Sequence, residues 1–174
     1  MNAHSTTLRR LETLYEREIE GLADVLVDCV EGGASVSFVR PFPREKAVEF
    51  WTRVAADVAI GKRAVIVAQD EVGICGTVQL AFDLPDNQPH RADLVKMLVH
   101  RRARRRGLGA ELMRAAEELG RACGKTLLVL DAVTGGDAER LYARLGWTRV
   151  GSIPNYALMP DGAPCATTYF YRPL

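Results

Sequence analysis

Arg104-Arg105-Arg106-Gly107-Leu108-Gly109 is a basic turn that closes in two glycines. It stands between an apolar run, Met97-Leu98-Val99, and an amphipathic segment that begins at Leu108. Strand, turn and helix in that order build an anion site. The first N–H groups of a helix have no intrahelical partner, and the helix dipole makes that end positive. A phosphate or diphosphate can rest there if the backbone is bare enough to admit it. Gly107 and Gly109 are expected to clear that approach. Arg104, Arg105, Arg106, Leu108 and Ala110 complete the loop.

Other anion-binding turns fit less well. A P-loop requires G-x-x-x-x-G-K-[ST], and neither Lys-Ser nor Lys-Thr follows these glycines in that frame. A dinucleotide fingerprint requires a third small residue, and position 112 is Leu. Five of the six residues from Arg101 to Arg106 are Arg, which could also read as a nucleic-acid patch or a solvated turn. The chain as a whole carries 23 basic and 22 acidic residues, so no broad basic face accompanies the cluster. Nucleic acid is not an expected partner.

What remains is the pattern R-x-x-G-x-G, which resembles the pyrophosphate loop of the GNAT acyltransferases. Downstream, Asp137-Ala138-Glu139-Arg140-Leu141-Tyr142-Ala143-Arg144-Leu145-Gly146-Trp147 is similar to that family's second motif, a short helix bearing a Tyr before Leu-Gly-aromatic. Where many relatives carry an Asn three residues before the helix Ala, this chain has Gly135. The resemblance implies acetyl-coenzyme A as cosubstrate. It also implies main-chain contacts from Met97, Leu98 and Val99 to the pantetheine arm, and a gap between the fourth and fifth strands that admits it. Those three residues read equally as core.

The same resemblance assigns chemistry. Tyr142 would give a proton to the departing thiolate, which suits a side chain of unperturbed pKa ~10. An acceptor ammonium must lose a proton before it attacks, and Asp93 and Asp131 are the candidate bases, Asp93 ahead of Asp131. A carboxyl after a buried strand can also be an ordinary turn residue. Segments 31–38 and 149–156 look like the tabtoxin-resistance branch of the family, which acetylates an amine of an amino-acid-like toxin. The implied acceptor is a small, amino-acid-like primary amine, with Gly33, Ser35, Asn155 and Tyr156 as contacts. The 32–35 link and the 154–164 loop would form the walls. An enzyme acting on protein N-termini or lysines, or a non-catalytic acyl-coenzyme A sensor, are the alternatives. Relatives are often dimers, so a homodimer is an expectation.

The elements that must position these residues follow from hydrophobic spacing. Helices are expected over Glu16 to Val30, from Pro43 to Val58, over Leu108 to Cys123 and over Asp137 to Leu145, with Asp137 as an N-cap. Strands are expected over Thr6 to Thr13, Ala64 to Gln69, Ile74 to Phe82, Arg91 to Val99 and Thr126 to Leu130. Trp147 to Val150 and Ala166 to Tyr171 close the chain. Thr126 to Leu130 is continuously apolar and is expected to be covered on both faces. This order of elements indicates α/β of the α+β type, a mixed sheet with helices on both faces. The resemblance implies the rest: a mostly antiparallel sheet of about seven strands, the GNAT acyl-CoA N-acyltransferase fold, in a single domain over 1–174.

Composition narrows the setting. At 48% hydrophobic over 174 residues the chain can bury a sizeable core. No stretch approaches the ~18 apolar residues of a membrane span. Met1 to Ser5 lacks a signal peptide's order, so a cytoplasmic protein is expected. Cys29, Cys75, Cys123 and Cys165 are far apart, with no C-x-x-C, and no metal site is expected.

Overall fold

A computed structural model describes residues 6–174. A seven-stranded sheet runs through it in the order β1-β2-β3-β4-β5-β7-β6. Its strands are β1 (Thr7–Leu11), β2 (Arg63–Gln69), β3 (Ile74–Ala81), β4 (Arg91–Val99), β5 (Leu127–Val133), β6 (Thr148–Leu158) and β7 (Pro164–Pro173). Only β4 and β5 run parallel; every other pair is antiparallel. The expected mixed, mostly antiparallel sheet is present.

Helices cover both faces. On one lie α1 (Glu16–Glu31) and α2 (Arg44–Ala59), whose Leu22, Val25, Leu26, Trp51 and Val54 pack on Val65, Val67 and Leu98 of the sheet. On the other lie α3 (Leu108–Ala122) and α4 (Asp137–Arg144), packed on Val78, Leu80, Ala92, Leu94, Leu128, Leu130 and Phe170. Alternation along each strand sends one set of side chains to each layer. Full burial of such a side chain contributes about 1.5–3 kcal/mol before entropy is counted.

Four details differ from the sequence expectation. The closing strands are much longer than Trp147–Val150 and Ala166–Tyr171, and only residues 159–163 turn between them. Pro154 falls where the β6–β7 register shifts between Ile153 and Ala157, on an edge strand, where a missing N–H is tolerated. β6 is exposed along most of its length, so it shows no alternating pattern to read. β5 runs on to Val133, which places Asp131 inside the strand, and it is fully buried only at Leu128 and Leu130.

Asp137 is the first residue of α4 instead of its cap. Gly136 holds that place, and the Asp137 carboxylate bonds Arg140. The first strand is shorter than Thr6 to Thr13, and Met1 to Ser5 lie outside the described residues. All four cysteines are free; Cys29 and Cys75 are buried, Cys123 and Cys165 only partly. Among the described residues no helix is long and apolar enough to cross a membrane.

Candidate active site

The turn between β4 and α3 is built around unengaged amides. His100 receives the Arg102 N–H on its own ring, the Ala103 N–H bonds the His100 carbonyl, and the Arg104 N–H bonds that of Arg101. The chain then opens through Arg105 (φ 61°) and Gly107 (φ 84°) into α3. Among the described residues the N–H groups of Arg105, Arg106, Gly107, Leu108 and Gly109 have no acceptor, whereas Ala110 and Glu111 both donate to the Gly107 carbonyl. Ala110 is thereby left out of the row. Successive free amides at a positive helix end form a concave anion site. A Cβ on Gly107 would meet nothing within 4 Å, so the space beside these amides is open.

Gly109 does something different from the expected clearing of the anion. Its Cβ would stand 3.1 Å from Leu141 Cδ2, so its smallness serves the packing of α3 on α4. The arginine run also divides. Arg101 binds Asp28 through its main chain and guanidinium, and Arg102 binds Asp70 and the carbonyls of Gly73 and Ile74. Arg104 folds back to donate to the Val99 carbonyl at 2.8 Å and lies 3.7 Å from Cys29 Sγ. Arg101 and Arg102 are thus matched by carboxylates, although Arg101 keeps most of its side chain in solvent. Arg105 and Arg106 are the exposed cations beside the free amides. Their field reaches α4: Asp137 is held below the usual carboxylate range by Arg140 first, with Arg105 and Arg104 adding to it.

The gap between the fourth and fifth strands is present. β4 pairs with β5 only from Arg91↔Leu127 to Asp93↔Val129, while β5 stays with β7 as far as Val133↔Thr167. From Leu94 onward β4 offers an unpaired edge. A bulge in β4 accompanies the separation: the register with β3 shifts between Thr77 and Gln79, and Lys96 has φ 52°. It inverts the alternation. Ala92 and Leu94 face α3, yet Leu98 faces α1, and Met97 and Val99 pack on the α3 side. Of the three expected pantetheine contacts, Val99 has its carbonyl already engaged by Arg104.

The candidate catalytic groups flank this gap from opposite faces. Tyr142 is 4% exposed on the α3–α4 side, its ring 5.9 Å from Phe170 and 6.2 Å from Trp147. Burial, helped by the Asp131 charge, pushes its hydroxyl pKa upward. Asp93 and Asp131 alternate with Ala92, Leu94, Leu130 and Ala132, and so project to the α1–α2 side. They differ in company. The Asp93 carboxylate is paired with Arg91. Asp131 keeps contact with solvent in a crowded neighbourhood that pushes its carboxyl pKa up; Lys96 opposes that rise and Asp93 adds to it. Across the ladder Asp131 faces Tyr169, whose hydroxyl bonds that of Tyr156.

The two expected walls meet. Ser35 Oγ donates to the Leu158 carbonyl at 2.8 Å, and the Arg40 N–H donates to the Pro160 carbonyl at 2.8 Å. Gly33 takes φ 87° in the 32–35 link. Asn155, at φ 51°, and the exposed Tyr156 lie in β6 itself instead of in a loop. Gly135, where relatives carry Asn, donates to Glu139 and accepts from Arg140 at 2.7 Å; its carbonyl belongs to the start of α4.

Lys96 and Tyr169 escaped the sequence reading. Lys96 Nζ donates to Ser37 Oγ at 2.9 Å and lies 5.6 Å from the Phe50 ring centre and 6.0 Å from that of Phe38. Burial and then Arg63 lower its pKa to about 8 against the field of Asp131. A charged residue inside Leu94-Val95-Lys96-Met97-Leu98 was the available signal.

Comparison with known proteins accords with this geometry. Residues 32–147 match the Acetyltransferase (GNAT) family. An uncharacterized N-acetyltransferase from the hisH-hisA intergenic region of Azospirillum brasilense is 32% identical over 127 residues, which cover 72% of this chain and 74% of that protein. Solved folds are similar at lower identity. The yncA protein of Salmonella typhimurium, determined with its cofactor acetyl-CoA, superposes with a TM-score of 0.78 at 19% identity, covering 97% of this chain and 94% of that one. A ribosomal-protein-alanine N-acetyltransferase from Brucella melitensis gives 0.79 at 19%, covering 97% and 99%.

Proposed function

The chain belongs to the acetyltransferase (GNAT) family, and from that premise we propose that it moves an acetyl group from acetyl-coenzyme A to the primary amine of a small, amino-acid-like molecule by direct attack. The observation that carries the reading is the row of free amides from Arg105 to Gly109, opening beside the gap between β4 and β5. The residues fit a diphosphate: the amides lack acceptors, and the space a Gly107 Cβ would fill is open.

When bound, acetyl-coenzyme A supplies the activated thioester. The amides of Arg105 to Gly109 hold its diphosphate, and Arg105 and Arg106 offset its charge. The free β4 edge at Met97 takes the pantetheine arm as an added strand. Asp131 receives the proton that leaves the acceptor nitrogen, because its carboxyl is not tied up by a cation and burial raises its pKa, which makes it a stronger base than an ordinary carboxylate. Asp93, committed to Arg91, orients the acceptor. This reverses their order in the sequence reading. The Tyr142 hydroxyl gives its proton to the thiolate as the carbon–sulfur bond breaks.

The Ser35–Leu158 and Arg40–Pro160 bonds draw the two walls together, which favours a small acceptor over a peptide. The likeness to the tabtoxin-resistance branch supports an amino-acid-like amine and a detoxifying role. Four free cysteines accord with a reducing, cytoplasmic setting.

A thermal-shift titration with acetyl-coenzyme A, followed by an amine panel read by thiol release, tests the proposal. Acetyl-coenzyme A should raise the melting temperature by mass action, and small amines should release thiol. Stabilisation without turnover of any amine would leave only the sensor reading.

A further inference from the structure

The α1–α2 side of the gap carries two opposite charges that are not joined to each other. Lys96 is bonded to a neutral hydroxyl, Ser37 Oγ, at 2.9 Å. Asp131 lies across the gap on β5, on the same face of the sheet, beyond the last β4–β5 pair at Asp93↔Val129. Behind Lys96 the same face is rich in donors. Arg63 donates to Gln79 Oε1 at 2.7 Å and approaches Asp57 at 3.4 Å. Gln79 is fully buried, and its Nε2 has no acceptor among the described residues. A half-buried ammonium held by aromatic faces and a hydroxyl, with an arginine and an unsatisfied amide behind it, is short of an anion.

The bulge explains how the lysine comes to be there. Regular alternation would give Lys96 the same face as Leu94, which is buried under α3. The inserted residue turns it toward Ser37, Phe38 and Phe50 instead, at the cost of a left-handed backbone at a non-glycine position.

We propose that Lys96, backed by Arg63, receives the carboxylate of the acceptor while Asp131 faces its amine, so that the enzyme selects zwitterions with a free carboxylate over neutral-ended amines. This rests on the acetyl-transfer reading above and names its substrate class. Lys96 is a specificity residue in this assignment: it touches the acceptor and takes no part in bond making.

The test uses the full chain with paired acceptors, each amino acid as its free acid and as its carboxamide. Thiol release gives KM and kcat, and calorimetry in the presence of coenzyme A gives binding. The free acids should be preferred at least ~10-fold, since a hydrogen-bonded charge contributes on that order. Lys96→Gln should raise KM for the acids by roughly 10–100-fold, with much smaller effect on kcat, and bring the acid-to-amide preference near unity. Lys96→Arg should restore most of the preference, which separates charge from folding. If the native enzyme uses amides as well as acids, or if K96Q depresses both equally, the carboxylate site is wrong although acetyl transfer stands. If acetyl-coenzyme A binds and no small amine is acetylated, the underlying function fails and this assignment falls with it.

Discussion

Gly109 of α3 lies against Leu141 of α4, with room for a Cβ only 3.1 Å from Leu141 Cδ2. The first helical turn after the anion loop is thereby in contact with the helix that carries Tyr142, one residue beyond Leu141. The loop of free amides and the helix proposed to carry the proton donor thus share one packing contact. Gly109→Ala should make the Leu141 side chain give by a few tenths of an ångström, and because alanine favours a helix over glycine by about 0.5–1 kcal/mol the net change in stability should stay within about 1 kcal/mol. Its kcat should fall more than its coenzyme affinity, because the adjustment falls on Leu141, next to Tyr142, while the amides remain. Leu141→Val in the same chain should relieve the contact and recover part of the kcat loss. Melting temperature and steady-state kinetics on the two variants decide it.

Tyr142 fills the core with its ring, packed against Trp147 and Phe170. Tyr142→Phe keeps the contacts with Trp147 and Phe170 at 6.2 and 5.9 Å, so stability should change by less than about 1 kcal/mol. Loss of the proton donor should lower kcat by roughly 10²-fold. An unchanged kcat with a verified acceptor would remove the acid role and leave only the packing one.

Asp131 and Asp93 should separate in pH profiles. The ionised form of the base is the active one, so kcat/KM rises with pH through its pKa, and for Asp131 that limb lies above the ordinary carboxylate range. Asp131→Asn should abolish the limb and reduce kcat/KM by about 10²-fold. Asp93→Asn should keep the limb and mainly raise the acceptor KM, because its carboxylate is held by Arg91. Retention of the limb in D131N would transfer the base role elsewhere.

Lys96 is placed at some expense to the fold. Burial and then Arg63 bring its pKa down to about 8 in the folded chain, against the opposing charge of Asp131, from the ordinary lysine value of 10.5 in the unfolded one. Below pH 8 both states carry the proton and the cost of burying the charge is fully present. Between about pH 8 and 10.5 the folded state releases its proton first, so stability rises with pH. Lys96→Met should therefore stabilise the chain at pH 7, by about 1 kcal/mol after allowance for solvent screening, and lose that advantage toward pH 10. Denaturant titrations at the two pH values check it.

The turn between β4 and α3 was legible because its signal is local. The strand, the turn and the helix adjoin in sequence, and the glycines mark where the backbone must turn left-handed. The function of each glycine was not legible, since Gly109 is explained by Leu141, a residue distant in sequence. Nor were the partners of the arginine run legible: the carboxylates of Asp28 and Asp70, which engage Arg101 and Arg102, lie in other elements. β6 was missed beyond Val150 because an exposed edge strand has no buried face to give it a period. Lys96 was legible in principle. Leu94 and Leu98 both demand burial, and Lys96 between them in the same phase could satisfy neither layer without a bulge.

The central claim is that the main-chain amides from Arg105 to Gly109 hold the diphosphate of acetyl-coenzyme A. Amide-resolved NMR of the labelled chain, titrated with coenzyme A and in parallel with pantetheine, reads it directly. The account predicts large shifts at those five amides with coenzyme A, absent with pantetheine, and lost in Gly107→Ala, which puts a Cβ into the open space beside them. Saturable binding of coenzyme A that leaves those amide resonances where they were would contradict it.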